Sequence, residues 1–240
     1  MRVLLLGASG TIGLATASAL LRQGHDVVCF LRKAKTTEAT GASSKLSAQL
    51  QGATLRYGDP CRLESLRQDG FCDEQFDAVV SCMASRTGTP RDAWAVDHQA
   101  HVDVLNAAKT SGVRYFVQLS AICVQKPLLA FQQAKLAFEK ELMASGLTYA
   151  IVRPTAFFKS LSGQLARVKK GKPFLIFGNG QLTACKPISD DDLGDYIANC
   201  LTDASKHNQI LPIGGPGPAI TPLEQGEYLF KQLNKPSHFK

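Results

Sequence analysis

The sequence predicts an α/β fold, a doubly wound parallel sheet with a small C-terminal lobe, and three observations predict it. Short apolar runs alternate with segments of helical period, a glycine-rich turn follows the first run, and the alternation stops after Pro154, where glycines gather among short elements. A strand covered on both faces reads as an unbroken apolar run, which is how these runs look. The first, residues 3–6, passes through the glycine turn into a helical segment at 12–21 that Gly24 ends. Runs at 27–31, 54–57, 78–81, 115–119 and 149–152 read as further strands, with helices over 63–68, 92–109 and 129–144. Gly112 and Gly146 stand where the last two of those helices stop. The polar stretch 33–44, rich in Thr and Ser, reads as an exposed loop. Two helix starts stand out in the C-terminal part: Ser189 before Asp190, Asp191 and Asp192, and Thr221-Pro222-Leu223-Glu224, which joins an N-cap, a first-turn proline and a capping-box acid. Residues 1–153 are expected to form the sheet domain, and 154–240 a lobe interleaved with the end of the sheet.

Composition narrows the function classes. The chain has 240 residues, 45% hydrophobic and 20% charged, with no apolar stretch near the roughly 20 residues of a membrane span. A water-soluble chain is expected. The net charge of +7 comes from dispersed Lys and Arg residues without interleaved aromatics, so a nucleic-acid partner is not expected. The seven cysteines include no C-x-x-C pair, which argues against a zinc site and fits a reducing compartment. No protein metal site is expected.

Gly7-Ala8-Ser9-Gly10-Thr11-Ile12-Gly13 spaces its glycines as G-x-x-G-x-x-G between an apolar strand and a helix. Glycine permits the tight turn and the close approach of backbone to a pyrophosphate, and the helix N-terminus supplies N–H groups and a positive dipole. This is a Rossmann-type dinucleotide fingerprint, with Gly7, Ser9, Gly10, Thr11, Ile12 and Gly13 as cofactor-binding candidates. A site preferring NAD places an acid at the end of the second strand to meet the ribose 2′-hydroxyl; here that position reads Phe30-Leu31-Arg32-Lys33. The planar fork of Arg32 suits a 2′-phosphate, so NADPH is the expected cofactor. Asp59, after the third strand, is placed to meet the adenine or to form a turn before Pro60. Met83-Ala84-Ser85-Arg86, after the fourth strand, should pass close to the cofactor.

Many short-chain dehydrogenases use a Ser followed by Tyr-x-x-x-Lys, in which the tyrosine moves a proton to or from the substrate oxygen. The corresponding stretch here has Ser120, then Phe131-Gln132-Gln133-Ala134-Lys135. Lys135 keeps the register, but Phe131 has no hydroxyl and cannot act as an acid. Ketone reduction by that route is disfavoured, which leaves C=C reduction or no chemistry. His98 and His101 lie three apart on a helix and are read as part of a solvated polar face near Asp97 rather than as ligands.

Several strings carry a more specific resemblance: LSAICVQKPLL at 119–129, IVRPTAFFKSL at 151–161, CKPIS at 185–189, LPIGGPG at 211–217 and TPLEQG at 221–226. They resemble the divinyl chlorophyllide a 8-vinyl-reductases, atypical NmrA-like short-chain dehydrogenases, and the resemblance spans essentially the whole chain. It implies NADPH-dependent reduction of the C8 vinyl group of divinyl chlorophyllide or protochlorophyllide to ethyl, in chlorophyll or bacteriochlorophyll synthesis. Hydride arriving at the terminal vinyl carbon leaves charge that spreads into the conjugated macrocycle, so the missing phenol is less needed. The resemblance also implies that Lys135, Ser120 and the turn Pro154-Thr155-Ala156-Phe157 hold the cofactor. Cys123, Lys126, Lys159 and Lys186 remain open as proton donors, and Lys126 or Lys159 could instead bind the substrate's propionate. Phe157, Phe158 and Phe174 are candidates to stack on the macrocycle or to form plain core. Members of this family continue past the equivalent of Lys240, so a further segment covering the substrate is expected. A chain starting at its first strand suits a bacterial cytoplasm or a plastid protein after removal of a transit peptide, with loose membrane association. The alternatives are a non-catalytic NADPH-binding regulator of the NmrA type and an isoflavone-reductase-like C=C reductase.

Overall fold

The computed structural model describes residues 1–33 and 40–240. Seven strands, β1 Arg2–Leu6, β2 Asp26–Arg32, β3 Thr54–Gly58, β4 Ala78–Ser81, β5 Tyr115–Leu119, β6 Thr148–Pro154 and β7 Gln209–Ile213, form one sheet in the order β3-β2-β1-β4-β5-β6-β7. The ladders joining β1 to β2 and β4, β2 to β3, β4 to β5 and β5 to β6 are all parallel. Chain order reverses beside β1, whose neighbours are β2 and β4. In a doubly wound sheet that is where a crevice opens at the strand carboxyl ends.

The central strands are largely apolar because helices cover both faces: Leu4, Leu5, Leu6, Val79, Val80, Phe116 and Ile151 are fully buried. Burying each such side chain stabilises the fold by roughly 1.5–3 kcal/mol. The helix Thr11–Arg22 packs so closely against Asp190–Asn199 that a Cβ on Gly194 would lie 2.6 Å from the Ala15 carbonyl carbon. Gly24, Gly112 and Gly146, after their helices, adopt φ of 76°, 72° and 83°, the left-handed conformation that glycine takes without strain.

The described residues divide into two compact units. The first holds Met1–Arg153 and Asp190–Pro212, the second Pro154–Ser189 and Ile213–Lys240. The first unit thus takes in the helix Asp190–Asn199 and most of β7 from the stretch after Pro154. The second unit has its own small core of Val168, Phe174 and Phe230, with Phe239 packed against them. Its helix Pro222–Gln232 starts with the expected capping box: the Thr221 hydroxyl accepts from the Glu224 N–H, and the Glu224 carboxylate accepts from the Thr221 N–H at 2.7 Å.

Two expectations need correction. Of the loop read over 33–44, residues 34–39 lie outside the described residues, and from Thr40 the chain is helical to Gln49. β7 was not foreseen as a strand. Its pattern of exposed and half-buried residues, with Pro212 among them, gives no apolar run to read.

Candidate functional site

At the exit of β1 the backbone turns at Gly7, φ 79°, and the Gly10 N–H closes the turn on the Gly7 carbonyl at 3.0 Å. No side chain fits there. A Cβ on Gly7 would lie 2.6 Å from the Cys82 carbonyl carbon, and one on Gly13 would lie 2.1 Å from the Gly7 oxygen. The helix Thr11–Arg22 then begins from Gly10 in extended conformation, with no side-chain cap. Such a helix start, bare of capping groups, is built to receive an anion. Ile12 is buried, so it packs into the core beneath the loop.

A groove of about 260 Å³ opens over this loop. Gly7, Ser9 and Gly10 form one side; Phe30, Leu31, Arg32, Pro60, Cys82, Met83, Ala84 and Arg86 form the rest. The structure thus brings Gly7, Ser9, Gly10, Arg32, Met83, Ala84 and Arg86 together as expected from the sequence, and adds the apolar wall of Phe30 and Leu31. Arg86 sits on a loop ordered by Asp92, whose carboxylate accepts from the N–H groups of Arg86 and Thr87 and from the Thr87 hydroxyl. The Thr87 bonds hold the Asp92 carboxyl below the usual carboxylate range. Asp59 does not line the groove: its carboxylate accepts from the Cys61 N–H at 3.0 Å, shaping its own turn. Burial pushes the Cys82 thiol up to about 11, so it stays protonated at neutral pH.

Behind the groove lies a buried polar cluster, and here the sequence reading fails. Asp97 and His101, expected on a solvated face, are both fully buried. Asp97 belongs to the π-helical segment Trp94–Ala100, and His101 opens the α-helix that follows. Lys135, from the helix Ala130–Met143, points its Nζ to within 3.1 Å of Asp97 Oδ1, which also accepts from the Ser85 N–H at 3.2 Å. His101 Nδ1 lies 2.8 Å from the Val96 carbonyl and its Nε2 2.8 Å from the Ser81 hydroxyl. An imidazole that donates from Nδ1 is left to accept at Nε2. Burial, helped by the Lys135 charge, lowers its pKa to about 4, so it is neutral at neutral pH.

A second buried cluster joins β5, the same helix and β6. The Ser120 hydroxyl donates to Glu139 at 2.5 Å, and the Arg153 guanidinium holds both carboxylate oxygens of that fully buried glutamate. Glu139 and Arg153 gave no sequence signal beyond their charge. Phe131 is half-buried on the first turn of that helix, Cys123 is half-buried in the turn Ile122–Gln125, and Lys126 is exposed.

Within the second unit, the turn 154–157 is pinned by backbone. The Thr155 N–H donates to the Ile213 carbonyl at 2.9 Å, the Thr155 hydroxyl bonds the Lys186 carbonyl, and the Ala156 carbonyl accepts from the Ile188 N–H at 3.1 Å. Phe157 is half-buried; Phe158, Lys159 and Lys186 are exposed. Phe174 is not available for stacking. It is 4% exposed, with its ring edge-on to Phe239 at 6.0 Å in the core of that unit.

Comparison with known proteins agrees with this geometry. A family model described as NAD(P)H-binding matches residues 7–204. The chain is 49% identical over 245 residues to the divinyl chlorophyllide a 8-vinyl-reductase, chloroplastic, of Cucumis sativus, covering 99% of this chain and 58% of that protein. It is 47% identical over 249 residues to the protein of the same name from Arabidopsis thaliana, covering 100% of this chain and 59% of that one. The chain therefore spans under two thirds of the length of these curated relatives. Among solved structures, the NADPH-dependent quinone oxidoreductase QOR2 of Escherichia coli, complexed with NADPH, superposes with a TM-score of 0.78 at 20% identity, covering 99% of this chain and 77% of that one. At that identity the likeness speaks for the fold alone.

Proposed function

Because this chain belongs to the NAD(P)H-binding family, we propose that it uses NADPH to reduce a carbon–carbon double bond, the C8 vinyl group of divinyl chlorophyllide or protochlorophyllide, to ethyl. One observation carries the choice of chemistry: a buried lysine at 135 is kept in register with a phenylalanine at 131, so the lysine is present without the phenol that ketone reduction uses. The names and identity of the plant relatives supply the substrate class.

The residues present fit the cofactor. The cradle of Gly7 and Gly13 admits no Cβ, as close approach to a pyrophosphate requires, and Arg32 stands at the end of β2 where a 2′-phosphate would come. NADPH, when bound, supplies the hydride. Ser9, Gly10 and Thr11 would hold the pyrophosphate through the helix N-terminus, and Arg32 the 2′-phosphate. Met83 and Ala84 would line the groove beside the dinucleotide, and Lys135 and Ser120 would hold its nicotinamide half. Phe131 donates no proton, and none is needed at the moment of transfer, because the charge left on the substrate spreads into the macrocycle. Cys123, Lys126, Lys159 and Lys186 remain the candidates to deliver the proton afterwards, with Lys126 or Lys159 alternatively holding a propionate. The plant relatives are chloroplastic, which favours a plastid or a chlorophyll-making bacterium as the setting, with loose association to a membrane that holds the apolar substrate.

The test is to incubate the protein with NADPH and divinyl chlorophyllide, following the Soret band and separating products by chromatography. The expected result is the 8-ethyl product with matching NADPH consumption. Persistent divinyl substrate alongside tight NADPH binding would instead mark a non-catalytic NADPH-binding regulator.

A further inference from the structure

We propose that Asp97 is the residue that positions Lys135, and through it the nicotinamide half of the dinucleotide; the inference rests on the NADPH reading above. The sheet order supplies the direction. Arg32 ends β2, on one side of the glycine loop at β1, and the Lys135–Asp97 pair lies by the exit of β4, on the other. A dinucleotide lying across the strand ends therefore has its 2′-phosphate half over Arg32 and its other half toward Lys135.

Lys135 is held rather than free to roam. Its side chain is 8% exposed, and its Nζ lies 3.1 Å from a carboxylate that is itself fully buried. The same Oδ1 accepts from the Ser85 N–H, so one oxygen ties the helix Ala130–Met143 to the loop after β4 that walls the groove. Asp97 Oδ2 is buried with no partner among the described residues. A buried carboxylate with half its acceptor capacity unused is a poor way to gain stability, since an apolar pair would cost less desolvation. It is a good way to fix an ammonium group to within tenths of an ångström. His101, neutral beside the pair, leaves that charge balance undisturbed at neutral pH.

The test compares two probes, NADPH and 2′,5′-ADP, which carries the adenosine phosphates but lacks the nicotinamide half. Binding is followed by fluorescence titration on the whole chain. Asp97→Asn is expected to weaken NADPH about tenfold, the scale of one hydrogen bond to a charged group, while leaving 2′,5′-ADP within about twofold. Lys135→Met should show the same selective loss, and adding Asp97→Asn to it should cost nothing more. Should a single variant fail to fold by circular dichroism, the D97N/K135M double variant leaves no uncompensated charge and should still lose NADPH selectively. Equal weakening of both probes, or a full further loss in the Lys135→Met background, would overturn the positioning role and leave the NADPH reading standing. Wild-type protein that binds 2′,5′-ADP no better than 5′-AMP would overturn the reading and the inference together.

Discussion

The first unit is held by strands and the second by a few aromatic rings, and the difference shows in how much of each is closed to solvent. In the first, whole strands are closed to solvent, and a Cβ on Gly13 would lie 2.1 Å from a carbonyl oxygen. The second unit has one approach as tight, where a Cβ on Gly215 would lie 2.1 Å from the Pro187 carbonyl oxygen. In the second, the core is Val168, Phe174 and Phe230 with Phe239, while Phe177 is 90% and Leu182 75% exposed. Two of its large apolar side chains therefore face outward.

The sharpest way to break this contrast is at the cradle. Gly13→Ala forces a methyl group into the Gly7 backbone, and NADPH affinity measured by titration should fall by about 100-fold or more. A loss of less than tenfold would mean that the cradle yields and the first unit is softer than its packing implies.

Phe230→Ala empties the centre of the second unit's core and should destabilise that unit by about 3–5 kcal/mol. If the two cores unfold independently, thermal unfolding will split into two transitions while 2′,5′-ADP affinity stays within about twofold. A single shifted transition would show that they unfold together.

The smallest expected effect is a pH dependence. His101 titrates near 4 in the folded chain and near 6.5 when unfolded, so between those values the unfolded state binds more protons. Stability from this residue is fully present above pH 6.5 and is lost as pH falls toward 4. Melting temperatures across that window should drop, and His101→Gln should flatten the slope; an unchanged slope would place the dependence elsewhere.

The same contrast explains what could be read from the sequence. Of the six strands expected in the first unit, β1, β2, β4 and β6 carry continuous apolar runs, β3 and β5 carry runs interrupted by Arg56 and Gln118, and the glycine loop declares itself by spacing. β7, an edge strand whose five residues are all exposed or half-buried and whose apolar residues are interrupted by Pro212, does not. The helix Thr40–Gln49 was read as part of a loop because Thr, Gly and Ser open it. At the site, Lys135 was legible from its register with Phe131, but its partner Asp97 lies on another helix and is brought there only by packing. Ser120, Glu139 and Arg153 likewise meet only in the fold. Phe174 shows the opposite error: a phenylalanine looks the same in a core as in a binding site until its neighbours are known.

The most direct test of the central claim follows the hydride itself. With NADPH deuterated at nicotinamide C4, one hand at a time, and divinyl chlorophyllide as substrate, mass spectrometry of the product should find one deuterium on the terminal carbon of the new 8-ethyl group from one of the two labelled forms. An ethyl product without label from either form, or divinyl substrate left intact by protein that binds NADPH tightly, would contradict it.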